Sequence, residues 1–247
     1  MYHLSATVVP SQSVTTYDVK FMDRSVKAVV TAEPGAVNKW LANSKYGKAK
    51  ANEDMIYGID AEWVTTNHGR SKVCVLQIAN ETGCLIYQIG NAEIIPRSLY
   101  KFFLHPNNIY AGVAVAEDFS KLYTDYNIVN NGMVVDLRDL AVSRMMSTKY
   151  KWYGLKRLTE DFCGYTLPKD KRVTLSNWAA LVLNAEQVTY ATLDALASFE
   201  NYVEIEYNAK LMREYAIPGD AHMCDDVCGI GICDNNKNCD AAALSRI

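Results

Sequence analysis

The stretch Tyr57–Val64, YGIDAEWV, decides how the rest of the chain is interpreted. Its aromatic and β-branched residues favour a β-strand, although it carries two carboxylates, Asp60 and Glu62. Residues two positions apart in a strand face the same side, so the two acids share one face, with Cα atoms about 6–7 Å apart. The apolar residues that alternate with them take the opposite face and can pack in a core. A core strand with two acids on one face needs something to balance that charge.

Composition predicts a folded chain without a strong overall charge. Of the 247 residues, 49% are hydrophobic and 21% are charged, which supports a sizeable core and argues against disorder. The net charge is −3, so the total charge does not favour a protein that coats nucleic acid with lysine and arginine. An enzyme whose metal ions supply the positive charge is compatible with the same balance.

Apolar runs and cysteines indicate the compartment. No apolar run is long enough to span a bilayer, and the first ten residues lack the layout of a secretory signal. The seven cysteines are an odd number, and Cys74, Cys84 and Cys163 lie in apolar segments typical of buried free thiols. We therefore expect an intracellular, reducing location, the nucleus or the cytoplasm, with no membrane contact.

Hydrophobic patterning of the first half predicts strands before helices. Two short strands flank the sequence MDRS, and a helix with Val37, Trp40 and Leu41 at helical spacing follows. Three strands come next, and their short connections favour antiparallel neighbours. The predicted segments are a hairpin at 17–32, a helix at about 36–45, and strands at 55–63, 72–80 and 84–90.

In the second half, helices and strands alternate. A continuous apolar run at 108–116 is typical of a strand covered on both faces, and a short strand begins at Gly132. The last regular element is a long helix from about Glu186 to Met212, where Asn184 and Gln187 resemble a capping box. This order predicts an α/β fold with a mixed β-sheet flanked by helices on both faces.

The chain is expected to form one domain and a tail. The domain covers residues 1–212, with the hairpin and helix in 1–50 and the core in 51–212. Residues 213–247 lack sustained periodicity and predict a flexible tail. The tail cysteines at 224, 228, 233 and 239 fit the spacing of a zinc site poorly, so we expect a redox-sensitive tail and keep zinc as the alternative.

Two further acids lie where the fold could bring them to the first pair. Asp118 follows the apolar run at 108–116, in the first turn of a helix, and Asp194 lies on the last helix four residues after Tyr190. Taken alone, Asp118 is ordinarily a helix cap, a Tyr–Asp pair is ordinarily surface packing, and a charged strand is often an edge strand. The structural alternatives therefore stay open for each residue by itself.

Together the four acids favour a metal site. Two carboxylates about 4 Å apart repel by roughly 4 kcal/mol at an effective dielectric of 20, and neither Lys nor Arg stands near Asp60, Glu62 or Asp194 in sequence. Such a cluster either protonates or binds cations, and hard oxygen ligands suit Mg²⁺ or Mn²⁺. Two ions about 3.5–4 Å apart would promote in-line attack on phosphorus.

The sequence resembles a known family at four separated blocks. These blocks are GIDAEW, YAGVAVAEDFSKL, LPKDKRVTLSNW and VTYATLDALASF. They are similar to the Werner-syndrome-type 3′-to-5′ exonuclease domain, in the DEDDy branch of the RNase D-like superfamily, and cover about residues 50–207. The first 50 residues also resemble small stand-alone Werner-like proteins of plants. The resemblance implies a ribonuclease H-like fold and release of nucleoside monophosphates from single-stranded or frayed 3′ ends.

The resemblance also implies roles for matching residues. Asp60, Glu62 and Asp194 would hold the first of two Mg²⁺ or Mn²⁺ ions, and Asp60 would bridge to the second. Asp118 would support the second ion through water, and Tyr190 would orient the attacking water. In the matching Ser176–Trp178 turn, we interpret the tryptophan mainly as a packing anchor.

A basic segment at 144–172 is the candidate grip for substrate. It holds eight basic residues against three acidic ones, with aromatic residues interleaved, which suits single-stranded nucleic acid. The alternative is a solvated helix face and loop. The residues we expect to bind substrate are Lys149, Lys151, Trp152, Lys156, Arg157, Lys171 and Arg172.

Partners and substrate stay open at this stage. The 3′ end bound could belong to DNA or RNA, because contacts to the 2′-hydroxyl are not identifiable from one sequence. The chain has no helicase motif, so an unwinding helicase would be a separate partner, and a homo-oligomer is a further option. A non-catalytic nucleic-acid-binding or scaffold protein on the same fold, and an exoribonuclease acting on small RNAs, are the competing functions.

Overall fold

A computed structural model describes residues 5–8, 14–44, 54–67, 69–168 and 170–215. Within these ranges, eight strands form one mixed sheet in the order β1-β2-β3-β6-β5-β4-β7-β8. Neighbours pair antiparallel except at three places, where β3 pairs with β6, β4 with β7 and β7 with β8 in parallel. The strands are β1 (Ser5–Val8), β2 (Val14–Phe21), β3 (Arg24–Thr31), β4 (Met55–Thr66), β5 (Gly69–Asn80), β6 (Gly83–Tyr87), β7 (Asn108–Gly112) and β8 (Met133–Asp136).

Helices cover both faces of this sheet, as the sequence predicts. The residues packed against one face come from α1, α2 and α3, and α7 packs against the other. Short 3₁₀ turns at Ile89–Asn91 and Thr148–Trp152 complete the connections. The helices are α1 (Pro34–Asn43), α2 (Arg97–Phe103), α3 (Val115–Tyr126), α4 (Leu137–Met145), α5 (Leu155–Cys163), α6 (Lys171–Thr174) and α7 (Ala185–Tyr215).

The start of α7 confirms the predicted capping box. The Gln187 backbone N–H donates to Asn184 Oδ1 at 2.8 Å, and the Asn184 backbone N–H donates to Gln187 Oε1 at 3.0 Å. Two amide groups that the first turn leaves without helical partners are thereby satisfied. This reciprocal pair fixes the residue at which α7 begins. It thereby helps to set the position of the helix along the sheet.

One strand prediction is wrong at its end. The apolar run at 108–116 was expected to be a single strand, but β7 stops at Gly112 and α3 begins at Val115. Ala114 takes a left-handed backbone conformation, φ 58°, and its N–H donates to Asp136 Oδ2 at 2.9 Å. This tertiary hydrogen bond turns the chain where periodicity alone continues the strand.

Other predictions differ in smaller ways. The patterns did not predict β1 or the one-turn helix α6, and α7 continues to Tyr215, past the expected boundary at 212. Cys74, Cys84 and Cys163 are free thiols as expected, the first two buried and the third partly buried. The four tail cysteines lie outside the described residues.

The chain divides into two compact units, residues 1–206 and residues 207–247. The described part of the second unit is the helical stretch at 207–215. The expected split into a domain at 1–212 and a tail at 213–247 stays a prediction. No helix in the described ranges has the length and apolar character needed to cross a membrane.

Candidate active site

The acids of β4 lie where this strand outruns its neighbour. The parallel pairing with β7 ends at Gly58↔Ala111, so Asp60 and Glu62 extend beyond it, towards the start of α3. On the other side β4 stays paired with β5, with Asp60 opposite Gln77. The register becomes irregular just after Glu62, which marks the end of the regular ladder. The two acids therefore lie in the part of β4 that extends beyond its pairing with β7.

Gly58 explains how α7 reaches these acids. A Cβ atom at this position would lie 2.0 Å from the Ala195 carbonyl oxygen and 2.6 Å from the Phe199 backbone nitrogen. Only a glycine lets the helix backbone come this close to β4. Gly58, Asp60 and Glu62 share one face of the strand, so the close approach places Asp194 and Tyr190 beside the two acids.

The residues before α7 hold it in place. Gln187 Nε2 donates to Ser176 Oγ at 2.9 Å and to the Asn177 carbonyl oxygen at 3.1 Å, which ties the preceding turn to the helix start. Trp178 is fully buried, its Nε1 donates to the Thr174 carbonyl oxygen at 3.1 Å, and its ring lies 6.1 Å from that of Tyr190. The predicted packing role of Trp178 is confirmed.

Asp118 reaches the site from the first turn of α3. Its side chain is buried, and Lys121, one turn later, places Nζ 3.7 Å from Asp118 Oδ1. The same Nζ lies 3.8 Å from Glu117 Oε2 and 4.3 Å from the centre of the Trp63 ring. The Lys121 side chain is only 16% exposed, so it places a largely buried positive charge beside Asp118.

Burial and mutual repulsion perturb the acids strongly. Burial, then repulsion from Glu62, Asp194 and Asp118, raises the pKa of Asp60 well above its usual range. Burial and the charges of Asp194 and Asp118 raise the pKa of Glu62 to about 9. Asp118 and Asp194 lie close enough to Asp60 and Glu62 to raise the pKa values of both, so the structure brings the four predicted acids together.

The other two members of the set are perturbed as well. Burial raises the pKa of Asp118 to about 7, against the lowering effect of Lys121. Burial, followed by repulsion from Asp194, raises the pKa of the Tyr190 phenol, which also hydrogen-bonds the Thr174 side chain. The phenol is therefore neutral near pH 7 and can donate or accept a hydrogen bond, but it is no base.

The donor set fits a hard divalent cation in chemistry but is not closed in geometry. Four carboxylates supply only oxygen ligands, which Mg²⁺ and Mn²⁺ prefer. Among the residues that the structure describes, no three His, Cys, Asp or Glu side chains are already arranged to hold a metal ion. A cation would therefore have to draw these carboxylates closer, at positions where their mutual repulsion already favours its binding.

The predicted substrate residues fall into two groups. Lys171 and Arg172 are exposed on α6, whose last residue Thr174 hydrogen-bonds Tyr190 and so links this short helix to the site. Arg172 also pairs with Asp170 at 2.7 Å. The second group surrounds the 3₁₀ turn and α5, and no described contact links it to the acids. This group comprises Lys149, Lys151, Trp152, Lys156 and Arg157.

Side chains of the second group differ in availability. Trp152 is 84% exposed, an unusual state for a large aromatic residue. Lys149 lies over the Tyr150 ring at 4.9 Å, and Lys151 is exposed. Arg157 pairs with Asp161 at 3.2 Å and with Glu160 at 3.5 Å, so part of its charge is already balanced. The predicted basic grip is therefore weaker here than the count of basic residues suggests.

Sequence reasoning missed two neighbours of the acids, Lys121 and Gln77. The sequence held a signal for each of them. Lys121 follows Asp118 by three positions on a helix, the spacing at which charged side chains meet. Gln77 is a polar residue inside the apolar run VCVLQIA, and such a residue in a core strand calls for a partner.

Comparison with known proteins places this geometry among nucleases. Residues 41–208 match the protein family described as 3′-5′ exonuclease. Exonuclease 3′-5′ domain-containing protein 2 of Drosophila melanogaster is 29% identical over 204 residues, which are 82% of this chain and 34% of that protein. The protein of the same name from Homo sapiens is 31% identical over 189 residues, 74% of this chain and 30% of that protein. The chain thus spans about a third of the length of these relatives.

A solved structure supports the fold. Escherichia coli RNase D, described as an exoribonuclease involved in structured RNA processing, superposes with a TM-score of 0.60 at 15% identity. The match covers 75% of this chain and 46% of that one. At this identity the similarity concerns the fold alone, and it confirms the predicted ribonuclease H-like sheet with helices on both faces.

Proposed function

Because the chain belongs to the 3′-5′ exonuclease domain family, we propose that it hydrolyses phosphodiester bonds from the 3′ end of single-stranded or frayed nucleic acid, with divalent metal ions. The observation that carries the proposal is the meeting of Asp60, Glu62, Asp118 and Asp194 at the end of β4, where the charges of Asp118 and Asp194 help to raise the pKa values of Asp60 and Glu62. Four acids held this close in a half-buried place are either protonated or balanced by cations, and divalent ions would supply that balance.

The carboxylates are the groups that would hold the ions. Asp60, Glu62 and Asp194 share the face covered by α7 and suit a first Mg²⁺ or Mn²⁺ ion, and Asp60 with Asp118 suits a second. When bound, the two ions supply Lewis acidity for in-line attack of water on phosphorus. Lys121 neutralises part of the charge of Asp118, which makes Asp118 the weaker metal ligand.

Tyr190 is assigned to orienting water. Its phenol lies among the acids, stays protonated near pH 7, and is held by the Thr174 side chain. A neutral hydroxyl can accept a hydrogen bond from a water molecule or donate one to it. Such a bond fixes the orientation of the water and directs a lone pair of the water oxygen at the phosphorus. The proton released on attack must therefore leave through a carboxylate or through bulk water.

Substrate would approach along α6 and the exposed turn before α5. Lys171 and Arg172, on the short helix that Thr174 links to Tyr190, suit the terminal phosphates. Trp152, flanked by Lys149 and Lys151, offers an exposed ring on which a base can stack. Lys156 and Arg157 complete the proposed contact set.

Several finer assignments accompany the proposal. The resemblance of the four sequence blocks supports a Werner-type domain like the small plant proteins, with DNA or RNA as substrate. A separate helicase partner, a homo-oligomer and a nuclear or cytoplasmic location belong to the same proposal. The relatives extend well beyond the matched region, so the activity of the whole protein is proposed on the strength of this domain.

The test is shortening of 5′-labelled oligonucleotides. DNA and RNA strands, free or blocked at either end, are incubated with Mg²⁺, with Mn²⁺ and with a chelator. We expect stepwise loss from the free 3′ end only when a divalent ion is present. Asp60→Ala should reduce the rate by about 10³-fold or more, because the loss of several kcal/mol of transition-state stabilisation is expected when a metal ligand is removed.

A matched control separates the site from charge in general. Asp23 is exposed in the turn between β2 and β3, and strands β6 and β5 separate that hairpin from β4, so Asp23→Ala should keep the full rate. Full activity of Asp60→Ala, or shortening that survives chelation, would contradict the proposal. Salt-dependent binding of strands without shortening in either metal would instead identify a non-catalytic nucleic-acid-binding protein.

A further inference from the structure

Gln77 lies directly across the sheet from Asp60. The antiparallel pairing of β4 and β5 sets Asp60 opposite Gln77, so the two side chains leave the sheet on the same face. Side chains in such a pair have Cβ atoms about 4.5–5.5 Å apart, within reach of a glutamine amide. Gln77 has no exposed surface at all. A fully buried amide therefore stands beside the central carboxylate of the proposed site.

Both polar atoms of this amide are without a protein partner. Neither Oε1 nor Nε2 of Gln77 has a hydrogen-bond partner within the ranges that the structure describes. Other buried glutamines here behave differently, since Gln88 Nε2 donates to the Ala180 carbonyl oxygen at 2.9 Å and Gln187 is fully used at the start of α7. Buried amides are ordinarily satisfied, so an unpartnered one beside a carboxylate points to a functional use.

Of the two residues directly paired with Gln77 in the sheet, Asp60 is the charged one. The same-face neighbours of Gln77 on β5, Val75 and Ala79, are apolar, and so is Ile86, its partner on β6. Asp60 is the charged side chain across the pair, and within the described part of the chain its hydrogen-bond donor is the backbone N–H of Ala61. A neutral donor at this place can orient the carboxylate without adding a positive charge that would compete with a cation.

We infer that Gln77 is a positioning residue, whose Nε2 donates to the Asp60 carboxylate directly or through one water and holds it in the orientation that binds a divalent cation. The inference rests on the proposed function, since it gives Asp60 a cation to bind. Lys121 plays a different part at the other end, where it pairs with Asp118 by charge. Two residues then hold acids of the site, the neutral Gln77 at Asp60 and the positively charged Lys121 at Asp118.

Gln77→Met tests the inference, because methionine keeps the length of the side chain and removes both polar atoms. Thermal unfolding is followed without divalent ions and across a Mn²⁺ titration, and shortening of a labelled oligonucleotide is measured at each Mn²⁺ concentration. We expect the melting temperature without metal to be unchanged or higher, since an unpartnered buried amide is lost. The Mn²⁺ midpoint should rise by about 10–100-fold, with activity recovered at high Mn²⁺.

Gln88→Met is the matched control, since it removes a buried amide that does have a partner. It should lower the melting temperature and leave the Mn²⁺ midpoint unchanged. Wild-type and Gln77→Met proteins with equal Mn²⁺ midpoints would overturn the inference while the proposed function stands. A wild-type protein that neither gains stability from Mn²⁺ nor shortens strands would overturn the proposed function itself.

A measurement on the unaltered protein covers the case in which Gln77→Met does not fold. In protein labelled with ¹⁵N-glutamine, the assigned side-chain amide signal of Gln77 should shift when Mg²⁺ is added, because its hydrogen-bond partner binds the ion. The Gln88 amide signal should stay in place. A Gln77 signal that ignores Mg²⁺ under conditions where the protein is active would contradict the inference.

Discussion

The face of the sheet covered by α1, α2 and α3 is filled with aromatic rings, whereas on the face covered by α7 strand β4 presents a glycine and two carboxylates to the helix. On the first face, which we call the aromatic face, Tyr57 and Phe102 have ring centres 4.7 Å apart, and Phe103 and Tyr110 lie 5.3 Å apart. All four rings are fully buried. Their edge-on and tilted contacts add to the free energy of burial.

On the other face, the α7 face, the helix approaches the sheet through Ala191, Ala195 and Gly58. Small residues allow close contact but bury little apolar surface each. The same face carries Asp60 and Glu62, whose raised pKa values show that the folded chain resists their ionisation. One face of β4 thus contributes mainly to the stability of the fold, and the other face carries the acids of the candidate active site.

The largest effect should come from the aromatic face. Phe102→Ala removes a ring that contacts Tyr57, Phe103 and Tyr110, and should lower the free energy of unfolding by about 3–5 kcal/mol. Urea unfolding at 25 °C measures the loss. The rate per folded molecule should stay within about twofold of the wild type, since this ring packs on the face of β4 opposite Asp60 and Glu62.

A surface aromatic on α3 provides the comparison for this variant. Tyr123 is 57% exposed, so Tyr123→Ala should change stability by less than about 0.5 kcal/mol. A large loss of activity per folded molecule in Phe102→Ala would mean that the two faces are coupled through β4. The division between them would then be wrong.

At Gly58, a single substitution should change both the stability and the activity of the protein. Gly58→Ala would place Cβ against the Ala195 carbonyl oxygen, so α7 must shift, at a cost of about 1–3 kcal/mol for overpacking. The shift moves Asp194 and Tyr190 with it, and a displacement of about 1 Å can reduce a rate by about 10²-fold. Stability and rate are measured on the same preparation by urea unfolding and strand shortening.

The ratio of the two losses distinguishes the explanations for Gly58. A rate that falls much more than the folded fraction indicates displaced catalytic groups. A rate that falls only in proportion to the folded fraction would show that α7 relaxes without moving its acid and phenol. Gly35→Ala is the control, because a Cβ there meets no atom within 4 Å, and it should leave both quantities near the wild-type values.

Sequence patterns predicted the parts of this arrangement that depend on local periodicity. The alternation in β4 gave the shared face of Asp60 and Glu62, and the spacing of Asn184 and Gln187 gave the start of α7. Both are rules of one element, and they hold wherever that element forms. The order of elements then sufficed for the fold class, because alternating strands and helices have few compact arrangements.

The missed features depend on contacts between distant segments. The end of β7 is set by a hydrogen bond from the Ala114 N–H to Asp136, 22 residues later, whereas the apolar run itself suits strand or helix. The one-turn helix α6 is too short to show a period. Lys121 lies three positions after Asp118, so its approach to the acids depends on where the first turn of α3 meets the end of β4. The sequence expectation concerned basic residues near Asp60, Glu62 and Asp194 along the chain, whereas the basic neighbour that the structure shows is Lys121, beside Asp118.

The smallest predicted effect is a dependence of stability on pH in the metal-free protein. In the folded chain the pKa of Glu62 is about 9 and that of Asp118 about 7, raised chiefly by burial from usual values of 4.5 and 3.8. Between the usual and raised values, the folded state binds protons that the unfolded state has released. Stability from these groups is therefore complete below about pH 4 and is lost as pH rises through 7 and then 9.

Urea unfolding in a chelator at pH 5.5, 7.0 and 8.5 measures this dependence. The free energy of unfolding should fall with rising pH, by up to about 1.4 kcal/mol per pH unit for each group that remains protonated only in the folded state. Glu62→Gln should flatten the part of the curve above pH 7, because its amide does not titrate. Saturating Mn²⁺ should reverse the slope, since cations bind the ionised carboxylates. A metal-free protein that becomes more stable towards pH 8.5 would show that the carboxylates of the α7 face ionise without a loss of stability. The proposed difference between the α7 face and the aromatic face would then be wrong.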